Sequence, residues 1–145
     1  MPLDWLFALA IWMGGYSSLC NEHPSACVQP IVIPVPKTLM PDAVGMFLSK
    51  FSYAVFVRDD VNKVNYLRDS VLMHEFTHYL QYQQHGFIKY FGETDACLTM
   101  RLEIPAHYVD QRFTKMYNIK PTLHHISIPY RYARDCWASL PRELK

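Results

Sequence analysis

The stretch Val71-Leu-Met-His-Glu-Phe-Thr-His-Tyr-Leu-Gln81 places two histidines four residues apart, with a glutamate directly after the first. Leu72, Phe76 and Tyr79 recur at helical spacing, so the stretch reads as a helix resting on that apolar stripe. Residues i and i+4 are about 40° apart around a helix, so His74 and His78 leave one face about a turn apart. Two ring nitrogens so placed suit a single ion at about 2.0–2.1 Å each. Glu75 projects beside the pair, where it reaches a metal-bound water without ligating the metal. Imidazole and carboxylate with an open position is catalytic zinc chemistry, because structural zinc is usually closed by four protein ligands. Zinc acidifies its water toward a pKa of about 7. Glu75 is then expected to take the proton as water attacks a carbonyl, and to pass it to the leaving amine. The competing reading of these three residues is a solvated polar helix face.

Two histidines do not complete a site. The pattern HExxHxxGxxH would supply a third imidazole, but Tyr79-Leu80-Gln81-Tyr82-Gln83-Gln84 follows His78 and carries neither the glycine nor the histidine. His85, two turns beyond His78, is too distant to close a tight site. The remaining source is a carboxylate on the next helix. Glu103, in Glu103-Ile104-Pro105-Ala106, faces the histidines if that helix returns antiparallel, and Ala106 lets the helices approach closely. Glu93 and Asp95 are less suitable, because they fall in the loop or at the helix cap. The bland reading of Glu103 is a surface carboxylate paired with Arg101 or Lys115. Pro105 removes the hydrogen bond to the Arg101 carbonyl and is expected to kink the helix beside Glu103.

HExxH followed by ExxA on the next helix resembles the gluzincin metallopeptidases, and the small size resembles the minigluzincins and related bacterial proteins of unassigned function. Residues 71–81 and Arg101-Leu-Glu-Ile-Pro-Ala-His-Tyr-Val-Asp-Gln-Arg-Phe113 carry the likeness, which extends over roughly residues 30–117. It implies His74, His78 and Glu103 as zinc ligands and Glu75 as general base. It also implies that a strand before the HExxH helix receives an extended peptide by strand addition, with Phe51–Val57 or the 64–67 strand as counterpart.

Outward from the motif, Asp69 or Ser70 is expected to cap the first helix, with Gly86 after its last turn near His85. Thr94 or Asp95 caps a second long helix running to about Tyr117. Upstream, Phe51–Val57 reads as a strand, residues 58–63 as a turn and Val64–Leu67 as the hairpin partner. Pro30–Pro36 holds three prolines among β-branched residues and is limited to an edge strand or extended segment. Thr38 is a plausible N-cap for a short helix reaching about Lys50. Pro121 and Pro129 mark an irregular C-terminal segment, 121–145, placed to lie across the cleft. The order of elements predicts a compact α+β domain, zincin-like, with a short sheet or hairpin.

The chain has 145 residues, half of them apolar and 19% charged, so one ordered domain over residues 21–145 is expected. A formal net charge of +1 gives no electrostatic argument for nucleic acid. Cys20, Cys27, Cys97 and Cys136 form no CxxC pair, which argues against a thiolate zinc site. An even count suits two disulfides in an oxidising compartment, Cys20–Cys27 and Cys97–Cys136 being favoured; the other reading is four reduced, buried thiols. Residues 1–20 read either as an imperfect signal peptide or as an N-terminal helix packed on the domain. Leu3–Met13 is apolar and Gly14-Gly15-Tyr16-Ser17-Ser18 small, but no Lys or Arg precedes them and Asp4 has the wrong sign. The segment is too short to span a bilayer. A secreted or periplasmic location follows from the first reading.

A transition-state oxyanion needs a second electrophile, for which His107, Tyr108, His124, His125 and Tyr66 are candidates. His107 shares the face of Glu103, and His107 or Asp110 is alternatively an outer partner of the ligands. Tyr79, Tyr82 and Tyr90 are expected to pack; His23 and His85 have no assigned role. The leading expectation is therefore a zinc-dependent peptidase acting on peptide or protein substrates. The alternatives are a catalytically silent, zinc-stabilised peptide-binding module, and zinc-dependent hydrolysis of another amide or ester.

Overall fold

A computed structural model describes residues 1–91 and 96–119. It contains helices α1 (Leu3–Met13), α2 (Ser17–Glu22), α3 (Asp59–Asn62), α4 (Asn65–Phe91) and α5 (Ala96–Met116), and strands β1 (Ile31–Val35), β2 (Gly45–Met46) and β3 (Ala54–Arg58). The fold is a mixed α+β arrangement around a three-stranded sheet of order β1-β3-β2.

The sheet differs from the expected hairpin. β3 pairs in parallel with β1, Val55 opposite Val32, and antiparallel with β2, Met46 opposite Phe56. Residues 59–62 turn into α3, and Val64–Leu67 leads into α4 instead of returning as a strand. Asn65-Tyr-Leu-Arg-Asp-Ser70 continues the helical period, and four apolar-rich residues alone cannot tell strand from helix. Pro34 lies opposite Val57 in β1. It is tolerated there because β1 is an edge strand, where one row of amides needs no sheet partner. The helix expected from Thr38 is absent: residues 38–44 form turns, and a single 3-10 turn covers Ser49–Phe51.

α4 is the central element. It starts at Asn65, four residues before the expected cap, and every residue from Asp69 to Gln81 is buried. Leu72, Phe76 and Tyr79, the expected stripe, join Val55 of β3, Leu6, Phe7 and Ala10 of α1, and Val109 and Phe113 of α5 in one core. Phe7 meets Phe76 and Tyr79 edge-on, at ring separations of 5.3 and 5.8 Å. On the sheet side, Val71 packs with Val57 and Val61. With α4 covered on all sides, its polar face is buried too, and each polar group there needs a partner.

α1 is packed on the domain, with Leu6 and Ala10 fully buried. The small residues after it end the helix. Gly15 takes a φ of +76°, which glycine adopts without strain, and the Tyr16 amide returns to the Ile11 carbonyl. Cys20 and Cys27 form a disulfide, as expected, joining α2 to the following 3-10 turn at Pro24–Cys27. Cys136, and with it the second expected pair, lies outside the described residues, as do 121–145. No helix among the described residues is long and apolar enough to cross a membrane.

Candidate metal centre

α5 packs along α4, and Ala106 is fully buried. This brings Glu103 to the two histidines of α4. Glu103 Oε2 lies 3.0 Å from His74 Nε2, and Oε1 lies 2.9 Å from His78 Nε2. The two Nε2 atoms are 3.1 Å apart. The helix runs through Pro105, which lacks the amide for the Arg101 carbonyl. One residue on, the Leu102 carbonyl accepts the Gln81 side-chain amide at 2.9 Å, a direct link between the helices beside Glu103.

That link also sets the chemistry of His78. With its NH₂ group on Leu102, Gln81 turns Oε1 toward His78 Nδ1, at 2.8 Å. An amide oxygen only accepts, so Nδ1 carries the proton and Nε2 presents its lone pair. His74 is held alike: its Nδ1 donates to Asp110 Oδ2 at 2.8 Å. Asp110 Oδ2 also receives Nδ1 of His107 at 3.2 Å, and His107 Nε2 lies 3.4 Å from Glu103 Oε2. With both rings neutral, the Nε2 lone pairs of His74 and His78 would face a carboxylate, acceptor against acceptor, and protons or a cation between them would relieve the repulsion.

The electrostatics agree. Burial opposes a charge on His74, but hydrogen bonds to Asp110 and Glu103, with the charges of Glu75 and Glu103, hold its pKa well above the usual 6.5. Burial opposes ionisation of Glu103 as well; His78, His107 and His74 outweigh it and hold the carboxyl far below its ordinary range. Burial is again the largest influence on His107, and contacts with Asp110 and Glu103 override it upward. The carboxylates that hold protons on His74 and His107 would attract a divalent cation placed among them for the same reason. The donor set fits zinc. The two Nε2 atoms lie about 3 Å from each other and each about 3 Å from one Glu103 oxygen, close to the donor spacing around a tetrahedral ion whose bonds are about 2.0–2.1 Å.

Glu75 is buried and stays out of the donor cluster. Together with His74, His107, Val71, Ala43, Val44 and Gly45 at the start of β2, it lines a cavity of about 40 Å³. That volume admits a water molecule. Burial raises the Glu75 pKa, and the nearby His74 and His78 only partly offset it. Gly45 is required by the close approach: a Cβ there would strike Val71 Cγ1 and sit 3.0 Å from Glu75 Cγ.

His74, Glu75, His78 and Glu103, the four residues expected from sequence, are therefore neighbours. Of the electrophile candidates, His107 lines the cavity, whereas Tyr66 and Tyr108 are exposed. His124 and His125 lie outside the described residues, as do the side chains of His85 and Tyr90. Tyr79 and Tyr82 pack, as expected, against Phe47, and the Tyr79 hydroxyl donates to the Val28 carbonyl. Gln81 went unnoticed in the sequence, although its place one turn after His78 put it within reach of that ring. Gly45 carried no sequence signal at all, because its role arises from a contact between distant segments. The strand-addition expectation needs correcting. β3 has both edges paired, so Phe51–Val57 cannot accept a further strand; β2 is the edge beside Glu75. No protein-family model, curated protein or solved structure matches this chain.

Proposed function

We propose that the protein is a zinc-dependent hydrolase, most simply a peptidase of the gluzincin type. The observation that carries this reading is the convergence of His74 Nε2, His78 Nε2 and both oxygens of Glu103 within 3.1 Å of one another's partners, with Glu75 buried alongside. His74, His78 and Glu103 would hold the ion. When bound, zinc supplies a Lewis acid that acidifies water and polarises a carbonyl. Asp110 and Gln81 keep the two imidazoles oriented by accepting hydrogen bonds from their Nδ1–H groups. Glu75 accepts the proton that the attacking water loses and delivers it to the nitrogen of the departing amine. Its burial favours the protonated form, which suits a base that must hold a proton until the C–N bond breaks. An extended peptide would add to the β2 edge at Gly45, next to Glu75.

The Cys20–Cys27 disulfide supports an oxidising, secreted or periplasmic setting.

Glu75→Gln tests the reading. It keeps shape and hydrogen bonding but cannot take a proton. Peptide cleavage is expected to fall by about 10²–10⁴-fold, with one zinc retained per chain. The burial of His74, Glu75 and His78, none more than 8% exposed, favours a second reading: a zinc-stabilised peptide-binding module without turnover. Wild type and Glu75→Gln equally inactive across diverse peptide, cell-wall and ester substrates, with zinc present in both, would favour it over catalysis.

A further inference from the structure

We propose that His107 is a fourth protein ligand of the metal centre. The proposal rests on the zinc-centre reading and extends its ligand set. HExxH and the glutamate on the next helix do not assign it.

His107 follows Glu103 by one helical turn on α5, so both side chains leave the same face. One ligand atom each from His74, Glu103 and His107 lies within 4.8 Å of the other two. Its ring centroid is 4.3 Å from that of His74, and the residue is 1% exposed. The decisive feature is Asp110. A single oxygen, Oδ2, takes Nδ1 of His74 at 2.8 Å and Nδ1 of His107 at 3.2 Å. The two rings are thus fixed in the same tautomer by the same atom, and their Nε2 atoms lie 3.0 and 3.4 Å from the same oxygen of Glu103. That is the arrangement of two ligands of one ion sharing an outer carboxylate.

The consequence concerns reactivity. His74, His78, Glu103 and His107 would give the ion four protein donors, the closed set of a structural zinc. Access for substrate or water would then need a fifth position or the release of one donor. His107, with the longest separation from Glu103, is the donor to yield.

X-ray absorption of the full chain loaded with one equivalent of zinc tests this by counting imidazoles. Three are expected in the wild type and two in His107→Gln, with zinc still bound stoichiometrically. Zinc bound through two imidazoles in the wild type would overturn the assignment of His107 and leave the His74–His78–Glu103 centre standing. A wild type that takes up no zinc would overturn both. Should His107→Gln not fold, the wild-type count alone decides.

Discussion

Asp110 Oδ2 accepts hydrogen bonds from two imidazoles in a fully buried position. The ionised carboxylate raises the basicity of both rings and fixes their orientation. Asp110→Asn keeps the volume but removes the charge, and the asparagine oxygen is a weaker acceptor. The expected outcome is a folded protein whose zinc affinity drops by about 10–100-fold, measured by competition with a chromophoric chelator; an unchanged affinity would remove Asp110 from the site. Much of this scale was legible in the sequence. The i, i+4 histidines, the intervening glutamate and the glutamate of the following helix follow from side-chain chemistry and helix periodicity alone. The roles of Asp110, Gln81 and Gly45 depend on how two helices and a strand meet. One-dimensional spacing left Asp110 and His107 as alternatives, and it was silent on the other two.

Among the elements, the two long helices were readable because their periods are long and their faces distinct. The sheet was not, for a reason of range. β3 finds its main partner in β1, through a parallel pairing across some twenty intervening residues, whereas turn signals report only local hairpins. Proline in β1 correctly marked an edge. α1 was ambiguous because an apolar helix followed by small residues resembles a leader; here its face fills the core, and Gly15 ends it. If α1 is part of the working fold, Leu6→Ala creates a cavity against Phe76 and its neighbours. Such a change costs about 2–5 kcal/mol and is read as a lower denaturant midpoint at constant slope. A protein indifferent to Leu6→Ala would show that α1 is dispensable.

At the scale of the molecule, the buried polar face of α4 couples folding to metal and to pH. His74 and His107 have raised pKa values in the fold, so the chelator-treated protein binds more protons folded than unfolded near neutrality. Their contribution is fully present below the unfolded value of about 6.5 and is lost as pH rises through the raised folded values. Zinc acts in the opposite sense, because its ligands must shed protons to bind and affinity grows with pH. The Tm difference between zinc-loaded and chelated protein is therefore expected to widen between pH 6 and 8, at about 2.7 kcal/mol of added stability when free zinc is 100 times Kd. Calorimetry across that range checks it, and a constant or shrinking difference would count against the coupling. The most direct test is the zinc content of protein dialysed against micromolar zinc, wild type beside His78→Ala. One zinc per wild-type chain, and a large loss in the variant, is the expected result. A folded wild-type protein that takes up no zinc would contradict the account.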